Sequence, residues 1–147
     1  MTRRSTGPWL ATALALGALA TACGGGAPTS TTEGGGGSRS SSHNAGRDCL
    51  TCHREFGVAG TVYRADGSAY PGATVRLTTA PSGGGSVALS LTSDGSGNFY
   101  AARSVGFGAG LYTDVTGATG AARAMTAPVT SGACNSCHDA QNRIRAN

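Results

Sequence analysis

A five-residue pattern occurs twice in this chain. The first copy, CLTCH, covers residues 49–53, and the second, CNSCH, covers residues 134–138. Two cysteines separated by two residues, with a histidine directly after the second, form the spacing that attaches a c-type haem. Two copies therefore predict two haems, whose iron each motif histidine ligates. The predicted attachment residues are Cys49, Cys52, Cys134 and Cys137, and the predicted iron ligands are His53 and His138.

Other chemistries also use pairs of cysteines at this spacing. Four thiolates from two pairs could hold a structural zinc ion, or each pair could close as a redox disulfide. A zinc site does not need a histidine directly after each pair, and the pairs of zinc ribbons usually lie closer in sequence. A redox motif of the thioredoxin type would lie in a βαβ setting, which this sequence does not show. The complete motif, found twice, favours haem.

The start of the chain has the features of an export signal. Arg3 and Arg4 form a charged region, and the apolar run that follows, residues 9–19, is too short to span a bilayer. We therefore predict a signal peptide over residues 1–22 and an exported protein. Export agrees with the haem motifs, because c-type haems are attached outside the cytoplasm.

The residue after the predicted signal peptide is Cys23, the one cysteine outside the two motifs. Residues 19–23, LATAC, resemble a bacterial lipobox, although Ala20 stands where that motif prefers leucine. The resemblance implies that Cys23 is lipidated and anchors the protein in the bacterial cell envelope, as an outer-membrane or periplasmic lipoprotein or at the cell surface. Cleavage after Ala22 without lipidation would instead leave a free thiol, which is an oxidation liability in an exported protein.

Composition divides the rest of the chain into a linker and a domain. Residues 23–42 are mostly Gly, Ser and Thr, which predicts a flexible linker because such a segment cannot bury a core. Residues 43–147 have the size of one small domain. The chain contains no lysine and no basic cluster, so we predict no nucleic-acid binding.

Short segments with alternating apolar residues, separated by Gly- and Asp-rich turns, fill the region between the two motifs. Such strands are predicted at residues 56–64, 73–79, 87–92, 98–103, 111–115 and 121–127. Their number and spacing predict a mainly β fold, a small antiparallel β-sandwich over about residues 56–128. Two short helical or loop segments, residues 47–55 and 133–145, are expected to flank it and to hold the haems.

Three stretches of this region share a turn-and-strand pattern: GTVYRADG at 60–67, PGATV at 71–75 and SDGSGNF at 93–99. Together they resemble the carboxypeptidase regulatory-like domain, a transthyretin-like β-sandwich. That family usually has an acidic residue where this chain has Arg64, and the resemblance covers about half of the folded domain. Since the domain is typically a non-catalytic module, the resemblance implies a scaffold.

Each haem iron has a second axial position, for which the mature chain offers few ligands. His43 is the only histidine outside the motifs, and Met125 is the only methionine beyond the signal peptide. His43 precedes the first motif and could fold back across a haem face, or it could be a solvated histidine at the linker edge. Met125 could ligate an iron or lie unused at the rim of the fold. Either residue could serve either iron.

These features resemble those of dihaem c-type cytochrome lipoproteins. The resemblance implies an envelope-anchored electron-transfer protein, not an enzyme, that passes single electrons between redox protein partners. One alternative is a structural subunit of a surface or extracellular cytochrome assembly, in which the domain could form a homo-oligomer. Another is a dihaem peroxidase-like enzyme, which would need an open iron face with acid–base residues above it, whereas most acids of this chain fall in predicted turns.

Overall fold

The computed structural model describes residues 42–147. The predictions for the signal peptide, for Cys23 and for nearly all of the linker therefore lie outside the described residues. The described part of the chain contains seven strands: β1 (Val58–Tyr63), β2 (Thr74–Thr78), β3 (Val87–Thr92), β4 (Asn98–Ala101), β5 (Tyr112–Thr116), β6 (Ala122–Ala124) and β7 (Ile144–Arg145). A 3-10 turn covers Cys49–Thr51, and a single helical turn, α1, covers Cys134–Cys137.

The strands form two sheets. In the first sheet the order is β4-β1-β7, and β1 pairs antiparallel with β4 and parallel with β7. In the second sheet the order is β3-β2-β5-β6, and every neighbouring pair is antiparallel. The protein is mainly β, with sheets of three and four strands that are consistent with a small β-sandwich, so the predicted fold class is confirmed.

The hydrophobic core draws side chains from both sheets. Val58, Val62 and Phe99 come from the first sheet, and Val75 and Leu77 come from the second. Fully burying a side chain of this size contributes about 1.5–3 kcal/mol. All six residues of β1 are buried, which is expected for a strand that is paired on both edges and packed on the core.

The segment after the second motif differs from its prediction. Helical turns were expected over residues 133–145, but the helix ends at Cys137 and Ile144–Arg145 form β7 beside β1. A two-residue strand carries no alternation that could be read from the sequence. It forms because β1 has backbone donors and acceptors to satisfy on that edge: Ala146 N donates to Tyr63 O at 3.1 Å.

Candidate functional site

The two CxxCH motifs are neighbours in the fold. The 3-10 turn of the first motif and α1 of the second both contact β1. The side-chain nitrogen of Asn135, in the second motif, lies 3.8 Å from the sulfur of Cys49, although the two residues are 86 positions apart. A Cβ atom built on Gly46 would lie 2.6 Å from the backbone nitrogen of Ala140, so the flanking segments also touch. The sequence did not predict this proximity.

Each motif histidine has one ring nitrogen close to an oxygen atom. His138 Nδ1 lies 3.0 Å from the backbone oxygen of Asn142, and His53 Nδ1 lies 3.4 Å from the carboxylate of Glu55. Histidines that ligate metals usually hold a carbonyl or carboxylate with one nitrogen and bind the metal with the other. By this pattern, Nε2 would be the ring nitrogen of each histidine that could bind a metal.

Glu55 and Asn142 were missed by the sequence reasoning. Each lies a few residues after its histidine, in the turn that leaves the motif, and that position is the one signal that could have drawn attention to them. The two oxygens differ in kind, since one belongs to a side chain and the other to the backbone. No single residue type after the motifs could therefore have indicated both oxygens.

A cavity of about 450 Å³ opens beside the second motif. Cys134, Cys137 and His138 line it together with Met125. Its size lies within the range of about 300–1,000 Å³ that is common for ligand pockets. The structure thus brings a predicted distal ligand, the two predicted attachment sulfurs and the predicted proximal histidine of the second motif to one cavity. Apolar core residues complete its wall: Val75, Phe99 and Val115.

Gly60 in β1 lets the second motif approach the sheet. A Cβ atom at this position would lie 2.6 Å from the ring of Phe99 and 3.0 Å from the Cβ atom of Cys134. Any larger residue would therefore push one of these side chains away. The glycine is what allows Cys134 and Phe99 to share the cavity wall.

Three arginine side chains also line this cavity: Arg123, Arg143 and Arg145. Arg143 donates to Gly67 O at 3.1 Å, and Arg145 donates to Arg64 O at 3.1 Å, so both guanidinium groups are fixed by uncharged backbone oxygens. A lining that contains both apolar residues and arginines suits an apolar ring that carries carboxylates, although the carboxylate of Asp114 also lines the cavity. These arginines were not among the predicted site residues.

The first motif ends in a stack of aromatic rings. The ring of His53 stacks on Phe56 with centroids 4.8 Å apart, and Phe56 stacks on Tyr100 with centroids 4.6 Å apart. Both pairs are within 16° of parallel. The stack fixes the plane of the imidazole and extends to the surface, where Tyr100 is 42% exposed.

His43 lies next to His53. Their ring centroids are 5.9 Å apart, and the rings are nearly perpendicular at 79°. The structure therefore places the second predicted distal ligand beside the first motif.

Three of the motif cysteines, Cys49, Cys134 and Cys137, are free thiols.

Burial also sets the chemistry of two of the thiols. It raises the pKa of Cys134 to about 12, with a smaller contribution from the nearby Cys49. Burial, followed by the charge of Asp48, raises the pKa of Cys49 as well. A raised pKa disfavours the thiolate, which is the form that attacks disulfides and binds metals. A thioether sulfur carries no charge and is compatible with a buried position.

Comparison of the chain with models of protein families, with curated proteins and with solved structures found no match. The resemblance to the carboxypeptidase regulatory-like domain therefore stays a prediction. Within residues 42–147, no three or more His, Cys, Asp or Glu side chains are grouped so that they could hold a metal ion. A c-type haem does not need such a group, because one short motif supplies both sulfurs and one imidazole. In the same range, no helix has the length and apolar character needed to cross a membrane.

Proposed function

We propose that this protein is a dihaem c-type cytochrome, anchored in the bacterial cell envelope, that passes single electrons between redox protein partners. The observation that carries the proposal is the shared cavity of Met125 and the second motif. The test is the intact mass of the mature protein, which should exceed that of the polypeptide by two haems and one lipid anchor. A protein that contains zinc and no haem would overturn the proposal.

At the second motif, Cys134 and Cys137 would hold the haem through thioethers, and His138 and Met125 would be the ligands of its iron. When bound, the haem supplies a one-electron couple between ferric and ferrous iron. Val75, Phe99 and Val115 would give the porphyrin apolar contacts. The cavity arginines would be the partners of its carboxylates.

At the first motif, Cys49 and Cys52 would hold the haem through thioethers. His53 and His43 are the imidazoles available to its iron, and the Phe56–Tyr100 stack keeps the His53 ring in one orientation. Methionine ligation raises the reduction potential of haem iron relative to a second imidazole. Electron flow is therefore favoured from the first haem to the second.

Replacing Met125 with leucine should remove the sulfur ligand at little cost to the fold, because Met and Leu have similar volumes. We expect the mutant to lose the weak deep-red absorption band of methionine-ligated ferric haem. The higher midpoint potential should fall, or one iron should begin to bind added ligands. Redox titration with visible spectroscopy measures both effects.

Val129→Ala is the control for this substitution, since Val129 lines the same cavity and carries no sulfur. It should leave the red band in place. A Met125→Leu protein with the wild-type spectrum and both wild-type midpoint potentials would show that Met125 does not ligate iron.

Replacing Cys23 with serine should move most of the protein from the membrane fraction to the soluble fraction. The physical reason is that the acyl chains on Cys23 would provide the anchor, whereas the linker that follows is built of Gly, Ser and Thr. Cell fractionation followed by haem staining measures the change, and the redox spectrum should not alter. Unchanged membrane association would show that the anchor lies elsewhere.

A further inference from the structure

Asn135 is a buried polar residue that connects the two motifs. It is 3% exposed, and its side chain contacts both β1 and the segment that leads into the first motif. Its Oδ1 accepts a hydrogen bond from Thr61 N at 3.2 Å, while its Nδ2 donates to Arg47 O at 3.1 Å. The same Nδ2 lies 3.4 Å from Thr61 Oγ1 and 3.8 Å from Cys49 Sγ. One amide thus links the second motif to β1 and to the first motif.

The bond to Thr61 completes the edge of β1. On this edge Ala59 N donates to Gly132 O at 2.9 Å, and further along β7 pairs with Val62 and Tyr63. The N–H of Thr61 lies between these two backbone pairings, and the Asn135 side chain takes the place of a strand residue there. A buried backbone N–H without a partner is costly, so the position of Asn135 is strongly fixed.

Haem attachment itself does not require an amide at this position. The first motif carries Leu50 at the place that Asn135 occupies in the second. The amide must therefore serve a purpose other than forming the CxxCH turn. Its contacts indicate what that purpose is, since they join the second motif to the backbone and the sulfur of the first.

We propose that Asn135 is a positioning residue that holds the two haems as an adjoining pair, so that an electron passes directly between them. The inference rests on the proposed function. Thioether sulfurs lie at the edge of a porphyrin. The amide nitrogen of Asn135 lies 3.8 Å from the sulfur of Cys49, and the residue directly before Asn135 in the chain is Cys134. Where the sulfurs of the two motifs adjoin, the two porphyrin edges adjoin as well.

The experiment uses the full, haem-loaded protein and its Asn135→Leu variant. In the oxidised wild type, electron paramagnetic resonance should detect magnetic interaction between the two ferric haems. In the variant both haems should remain, because leucine is found at this place in the first motif, but the interaction should weaken. Hydrogen exchange of the amides in residues 47–50 should become roughly tenfold faster, the factor expected when buried polar groups lose their partners.

Thr51→Leu is the matched control, because Thr51 lies between the cysteines of the first motif and is exposed. Thr51→Leu should leave the magnetic interaction and the hydrogen-exchange rates at their wild-type values. Gly46→Ala is a second variant, whose added Cβ would meet Ala140 and separate the two segments without altering either motif. It should also weaken the magnetic interaction.

The outcomes separate the two proposals. A wild type with two haems and no magnetic interaction would overturn the paired arrangement and leave the proposed function standing. Two magnetically coupled haems that respond equally to Asn135→Leu and to Thr51→Leu would overturn the role of Asn135. A wild type that contains no haem would overturn the proposed function, and the pair with it.

Discussion

Replacing Cys137 with alanine should remove one haem from the mature protein or abolish its accumulation. Cys137 is exposed and lines the cavity, so the substitution removes one of two thioether bonds without opening a void in the core. The mass should fall by one haem while the other haem remains. Cys52→Ala should have the corresponding effect on the first haem.

The measurement is the intact mass of denatured protein together with its haem absorbance. Thioether bonds survive denaturation, whereas a zinc ion would be released when the fold is lost. Thr51→Ala is the control, because it changes an exposed residue between two motif cysteines and should leave both haems attached. Two intact haems in both cysteine variants would contradict the proposed attachment.

The second large effect should come from Arg76→Leu, which we expect to lower the free energy of unfolding by about 3 kcal/mol. The carboxylate of Asp114 lies in the middle of β5 with 1% of its side chain exposed. Its Oδ1 accepts from Arg76 Nε at 3.0 Å, and its Oδ2 is buried with no hydrogen-bond partner among the described residues. Loss of the arginine would leave a buried charge without compensation.

We place the effect at the low end of the range for buried pairs because the Arg76 side chain is 36% exposed. Denaturant unfolding of the haem-loaded protein measures it. The control is the double variant Arg76→Leu with Asp114→Leu, which removes both charges and should recover much of the lost stability. A loss below about 1 kcal/mol in the single variant would show that the pair behaves like a surface ion pair.

The sheets could be predicted from the sequence because their signals are local. Alternation of apolar residues and Gly-rich turns between them place β1 to β6 within a few residues of where they lie. Asp114 shows where local reasoning ends. Its strand was predicted, at residues 111–115, but the burial of its carboxylate was not, because this depends on Arg76 of the neighbouring β2 across the register Arg76↔Asp114. That register is a long-range property.

For the candidate site as well, the local features could be predicted from the sequence and the long-range contacts could not. The CxxCH motifs are complete local patterns, and Met125 was predicted as a candidate ligand, but the sequence left open which motif it would lie beside. The contact between the motifs depends on the parallel pairing of β7 with β1, on Gly60 and on the side chain of Asn135, none of which carries a periodic signal. The cavity arginines likewise become neighbours only when the two sheets pack.

The place of β7 in the first sheet also sets the order in which the protein can be completed. β1 is the central strand of that sheet, yet one of its partners, Ile144–Arg145, follows the second motif in the chain. In the proposed exported cytochrome, the chain could not close this sheet until both cysteine pairs had left the export channel. During that interval the cysteines would be accessible for haem attachment, although Cys134 packs against the core once the domain has formed. Late closure would thus give haem insertion a time window that an earlier partner for β1 would shorten.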